Sequence, residues 1–295
     1  MRRFAMKLSK VKSLIWRIGL KLIPGRLTRE LRWRAGNPLE NLSIDIRRRI
    51  LQVSELEGLK ALLHASPIYY RQYRRERYLI LPDSLQETLG IIHFADAYAV
   101  YQSSSDTFLN KRTPETVTRF LRNYGVYRLL RDEAPTIKDF LTEDEVMSMV
   151  KFYFAVVLPL SYNYVDWALD NLSHQTRAVC GRALTRTEEL RLLRALYRFQ
   201  LCCNLFGVGL HALPGHSFEV FNASEFLEMF LCLFHPWEVE ELCCIYAYAE
   251  DHFRVVLLRI AWDLSPDNPK FKGPPEVAVD LTDACELLVT LHLIC

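Results

Sequence analysis

Helix-start punctuation recurs along the whole chain and constrains its fold more than any other feature. Ser54 with Glu57, Asp83 with Gln86, Thr142 with Glu145 and Thr185 with Glu188 have the spacing of capping boxes. In such a box the first side chain accepts the N3 amide hydrogen and the second reaches back to the cap amide. Ser66-Pro67, Thr113-Pro114 and His235-Pro236 each put proline at a first helical position, where its missing N–H costs nothing. Asn222 and Glu225 open one more segment, expected to run through Met229 to Phe234. No stretch sustains the period-2 alternation of a half-buried strand. The chain therefore reads as all-α with almost no sheet, and it shows neither a solenoid-period repeat nor a low-complexity tract.

Residues 40–81 read as three short helices. In the first, Leu42, Ile46 and Ile50 recur at i, i+4 and i+8, with Arg47, Arg48 and Arg49 largely off that apolar face. Leu59, Leu62 and Leu63 mark the second helix. The third mixes Tyr69, Tyr70, Tyr73 and Tyr78 with Arg71, Arg74, Arg75 and Arg77, and Pro82 is expected to stop it. So few residues bury little surface alone and need a neighbour.

This pattern resembles an F-box, specifically the F-box-like segment of filamentous-fungal (ascomycete) proteins. The matching residues are Leu42, Ile46 and Ile50-Leu51, then Leu56, Leu59 and Leu62, then Ala65-Ser66-Pro67 through Tyr73. Residues 184–207 and 230–246 are similar to two further stretches of the same family. Two positions depart from the pattern: Ser43 stands where proline is usual, and Asp45 where glutamate is commoner. The resemblance implies docking on the linker subunit of a cullin–RING ubiquitin ligase, with the downstream domain selecting a protein substrate. It makes Leu42, Ile46, Ile50, Leu59 and Leu62 the partner-facing or inter-helix residues. The alternatives are a helical body whose F-box-like segment is only structural, and a membrane-surface protein.

The membrane reading rests on residues 1–38, a basic extension. Phe4, Leu8, Val11, Ile15, Ile18 and Leu22 share a helical face flanked by Lys7, Lys10, Arg17 and Lys21. A membrane contact through residues 4–22 or a mitochondrial presequence would use it. A helix packed on the acidic body, or a poorly ordered tail, is the favoured reading. Residues 1–81 hold 19 Lys/Arg against 6 Asp/Glu, and residues 82–295 hold 18 against 29, so a net charge of +2 hides a basic front and an acidic back. The expected organisation is 1–38 as extension, 39–81 as an F-box-like three-helix unit, and 82–295 as a larger, irregular helical domain on which that unit packs.

With 50% hydrophobic residues in 295, the chain can build a substantial core. Its longest apolar candidate for a membrane span, Phe199 to Pro214, is short and carries Gln200, Asn204 and His211. No hydrophobic secretory core stands at the start, so an intracellular protein, cytoplasmic or nuclear, is expected. The 8 cysteines include no CxxC and read as buried free thiols. The last helix, Ala284 to Ile294, ends on Leu-Ile-Cys without a cap, as expected of a helix packed inside or of a truncated product.

Chemistry-bearing motifs are sparse. The glycines of 207–221 match neither phosphate-loop spacing, and His211, His216 and His235 have no carboxylate or cysteine at ligand spacing. Glu238, Glu240 and Glu241 sit in the first turn of a helix, where its dipole favours them. Tyrosines and arginines at 69–78 could pair base stacking with phosphate contacts, but an amphipathic helix with solvated arginines needs fewer assumptions. The expectation is a non-enzymatic interaction protein with no cofactor, no metal and no sequence-specific nucleic acid partner.

Overall fold

Serine and threonine side chains decide where the first helices stop and start. The computed structural model describes residues 38–109, 112–129, 140–175, 184–207, 223–265 and 268–271. Among them the chain is helical and without strands. It divides into two units, Met1–Ile91 with Thr136–Val150, and Ile92–Pro135 with Lys151–Cys295.

In the first unit α1 (Ile44–Gln52) and α2 (Leu56–Ala65) both pack on α3 (Pro67–Leu89). Ser43 caps α1 by accepting the Ile46 amide, and Ser66 caps α3 ahead of Pro67. Leu51, Leu56, Leu59, Tyr69, Ile80, Leu81, Leu85 and Leu89 form the core. Ser84 and Thr88, one turn apart on α3, hold the α1–α2 connection. The Ser84 hydroxyl donates to the Leu51 carbonyl (2.8 Å), and Thr88 Oγ1 accepts the Leu56 amide (2.8 Å). These bonds satisfy backbone groups that helix ends leave unpaired. Glu143, at the start of α7 (Glu143–Phe152), pairs with Arg77.

Several expectations are corrected here. Ser54 and Glu57 form no capping box: Glu55 is the N-cap of α2, and the Ser54 hydroxyl donates back to the Ile50 carbonyl at 2.6 Å. Pro82 does not end α3, and Asp83 with Gln86 starts nothing. The element is kinked at Glu76 (φ −122°, ψ 18°), six residues before Pro82, and runs on to Leu89. The element ends at Gly90, whose φ of 77° and ψ of 154° suit glycine alone.

The second unit contains α4 (Ile91–Ser103), α5 (Asp106–Leu109), α6 (Pro114–Leu129), α8 (Leu158–Gln175), α9 (Arg186–Phe206), α10 (Ala223–Met229) and α11 (Pro236–Leu264). Alanines on α4 let neighbours approach, and Phe94, Val100, Val117, Leu121, Leu193, Leu201, Leu205 and Ile245 fill the core. Phe206, Phe226, Phe230 and Phe234 run edge to face, with ring centroids 5.0–5.6 Å apart along the series. α9 lies along α11. The Thr185–Glu188 box forms as expected. α10 ends at Met229, short of Phe234, and a 3₁₀ turn at Leu231–Leu233 follows.

Pro159 sits just after a π turn, Tyr153–Val157, which loosens the helix before the proline ring. Tyr164 and Trp167 on α8 then meet Tyr248 of α11 at 5.6 and 5.4 Å, and Trp167 Nε1 donates to Asp251 at 3.1 Å. The aromatic side chains of this run are only partly buried: Tyr153 is inside, whereas Tyr162 is exposed.

Among the described residues one helical run, Glu143–Leu172, is long and apolar enough to cross a membrane by length and composition. Its most apolar window has a mean hydropathy of 1.2 and is 28% buried. It replaces Phe199–Pro214 as the longest such run. The expected helices in 1–38 and 284–294, and Cys180, Cys285, Cys295, His211 and His216, lie outside the described residues. Of the described thiols only Cys202 is buried. Cys203, Cys232 and Cys244 are exposed and Cys243 is half-buried, which corrects the expectation of buried thiols.

Candidate functional site

Two places concentrate what a partner or a reaction could use. The first is the outer face of α1. Arg47 and Arg48, read as lying off the apolar face, turn toward α3. Arg47 Nε donates to Gln72 Oε1 (3.0 Å). Arg48 grips both oxygens of Glu76 (2.8 and 3.0 Å), and Gln72 Nε2 donates to the Ile44 carbonyl (2.7 Å). The Arg48 guanidinium, followed by Gln72, holds the Glu76 carboxyl below its ordinary value against the opposing effect of burial. Leu51 is the fully buried residue of this helix.

At 100° per residue, Ile46 stands about 140° around the helix from Leu51. Ile46 is 44% exposed and Ile44 46%. Leu42 and Ile50 are half-buried, and Leu59, at 3%, belongs to the core of the unit, with Leu62 half-buried beside it in sequence. The structure thus separates the five expected residues. Ile46 faces outward with Ile50 half-buried one turn on, Leu42 lies ahead of the N-cap Ser43, and Leu59 is buried between the helices.

The second place is a buried ion network in the second unit, which sequence reasoning missed. Arg198 on α9 is 1% exposed. Its Nη1 donates to Glu238 Oε1 on α11 (2.8 Å), and its Nε lies 3.3 Å from Asp96 Oδ2 on α4, close enough to pair but without hydrogen-bond alignment. The Tyr124 hydroxyl on α6 donates to Asp96 Oδ1 (2.5 Å). Arg128, one turn further along α6, donates to both Glu238 oxygens (3.3 and 3.2 Å) and to the Leu233 carbonyl. Arg194 reaches Glu238 at 3.4 Å and grips Glu241. The Phe234 ring lies between two guanidiniums, with Arg128 and Arg198 carbons 4.7 and 4.5 Å from its centroid.

Local rules place each member. Arg194 and Arg198, like Tyr124 and Arg128, are four apart and so share a helical face. Glu238 is at N3 of α11, where it also accepts the His235 amide (2.9 Å). Burial pushes Glu238 up, but the His235 amide, Arg198 and Arg128 together hold it down at about 2. Burial likewise opposes ionisation of Asp96, yet Arg198, His93 and Tyr124 keep it below the ordinary aspartate value. Burial and Asp96 push the Tyr124 hydroxyl well up. Asp96 and Glu238 are thereby held as carboxylates and Tyr124 as a neutral phenol. The geometry ties four helices together.

Among the described residues no group of three or more His, Cys, Asp or Glu is arranged to hold a metal ion. A shallow cleft of about 250 Å³ beside Trp167, Asn171, Glu250 and Arg254 is polar and open. No family model matches this chain, and neither a curated protein nor a solved structure matches it.

Proposed function

We propose that the chain is a non-enzymatic interaction protein whose N-terminal three-helix unit docks a partner protein along the outer face of α1. The observation that carries this reading is the 44% exposure of Ile46 on a helix fixed at its opposite face by Gln72 and Glu76. A rigid helix with an apolar outer line can bind without first ordering itself, which lowers the cost of association. The resemblance of residues 40–81 to an F-box supports a specific partner, the linker subunit of a cullin–RING ubiquitin ligase. On that reading the chain is a substrate-recognition adaptor, and Leu42, Ile46 and Ile50 are its contact residues.

The test is a pull-down of the full chain with that linker subunit, beside an Ile46→Asp, Ile50→Asp double variant and an Ile46→Asp single variant. Circular dichroism is read first, since a collapsed helix would mimic lost binding. Capture of the wild type and loss in a folded variant supports the proposal. Failure of the folded wild type to bind leaves α1–α3 as scaffold and sinks the adaptor reading.

A further inference from the structure

The tyrosines of α3 fall into two sets. Tyr69 is buried and donates to the Leu39 carbonyl (3.0 Å), and Tyr73 is half-buried. Tyr70 and Tyr78 face outward at 48% and 59% exposure. Arg71, Arg74 and Arg75 are exposed with them. At 100° per residue, positions 70, 71, 74 and 75 lie within an arc of about 140°, and Tyr78 is exposed just past the kink at Glu76. This stretch of α3 therefore carries three exposed guanidiniums flanked by two exposed rings, one on each side of the kink.

Among the described residues of the unit, no acid pairs with Arg71, Arg74 or Arg75. Glu76 is taken by Arg48, and Glu143 pairs with Arg77. Arg71 donates only to the Pro67 carbonyl of its own helix (3.3 Å). Neither Arg74 nor Arg75 has a carboxylate within ion-pair distance among the described residues.

We infer that this face of α3 binds single-stranded nucleic acid without sequence preference, with Arg71, Arg74 and Arg75 on phosphates and Tyr70 and Tyr78 under bases. The chemistry favours this partner over others. A purely acidic peptide would satisfy the arginines and leave both rings idle. A duplex hides the base faces that the rings need. A single strand offers phosphate and an open π-face together. Two turns of chain, kinked at Glu76, separate the tyrosines, and stacked nucleotides advance about 3.4 Å each, so the face spans a few nucleotides. This surface lies on α3 and does not depend on the α1 docking face.

The experiment measures fluorescence anisotropy of a labelled oligothymidylate with the full chain over a salt series. An abasic oligomer of equal charge and an acidic peptide are run beside it. Stacking is worth about 1–3 kcal/mol per base, and 1.4 kcal/mol is tenfold. Tyr70→Ser with Tyr78→Ser should therefore weaken oligothymidylate binding at least about tenfold and leave the abasic oligomer unchanged. Arg71→Gln, Arg74→Gln and Arg75→Gln together should lower the slope of log affinity against log salt by about 2, at roughly 0.7 per phosphate released. The basic residues before Glu30 add a background common to all variants, so only differences between variants are read. Equal binding by wild type and the tyrosine variant overturns the proposal. So does equal affinity for thymidylate and abasic oligomers, or a tyrosine-dependent acidic peptide.

Discussion

Replacing Arg198 with methionine removes one charge from the ion network and keeps much of its volume. Two carboxylates then lose a partner unequally. Glu238 retains Arg128, Arg194 and the His235 amide. Asp96, 1% exposed, keeps the Tyr124 hydroxyl and the His93 ring, 3.7 Å away, but loses its arginine. Breaking a buried pair from one side costs about 3–5 kcal/mol. The low end, about 3 kcal/mol, applies because only one carboxylate is left short. With urea slopes of about 1–3 kcal/mol/M, the unfolding midpoint should fall by roughly 1–3 M. Asp96→Asn added to Arg198→Met removes the stranded charge and should recover about half the loss. The deficit of the single variant should also be largest at neutral pH and shrink toward pH 4, where the stranded Asp96 takes up a proton and ceases to be charged. A deficit under about 1 kcal/mol at neutral pH, or a double variant weaker than Arg198→Met, would refute the reasoning.

Leu59→Ala should cost about 2–5 kcal/mol, because it opens a cavity at a core residue, whereas Ile46→Asp should stay within about 0.5 kcal/mol in the same urea titration. Gly90→Ala should cost about 1–3 kcal/mol, since φ 77° with ψ 154° strains any residue with a side chain, and Gly90→Ser should cost as much. The wild-type network sets an acid limit. Asp96 and Glu238 have folded values below their ordinary 3.8 and 4.5, so their stabilisation is complete above that range. It drains as pH falls toward about 2, and acid titration of the far-ultraviolet signal should place part of the transition there, with Glu238→Gln removing that part.

What was legible in the sequence was local. The Thr142–Glu145 and Thr185–Glu188 boxes, Ser66-Pro67 and His235-Pro236 each depend on residues within one turn, and each starts a helix where expected. Ser54 failed because its hydroxyl found the Ile50 carbonyl first, a competition that spacing does not reveal. Pro82 failed because a helix held by Leu81, Leu85 and Leu89 in a core tolerates a proline that an isolated helix would not. On α1 the period was legible, but which of its faces packs was not. Arg47 and Arg48 face inward because Gln72 and Glu76, 25 and 28 residues away, receive them. The ion network was invisible for the same reason. Glu238 was read as a partner of its own helix dipole, and its arginines lie 40 and 110 positions back. Only the arginine repeat at 194 and 198 hinted that one face of α9 would carry charge into the interior.

The π turn at Tyr153–Val157 works as a one-residue phase shift. Deleting one residue there would restore the 3.6-residue repeat and rotate everything downstream by about 100° relative to what precedes it. Tyr164 and Trp167 would then swing off Tyr248, and the indole would lose Asp251. α8 thus owes its rotational setting against α11 to a single surplus residue, and an insertion or deletion within 153–157 is expected to be worse tolerated than a substitution at the same positions.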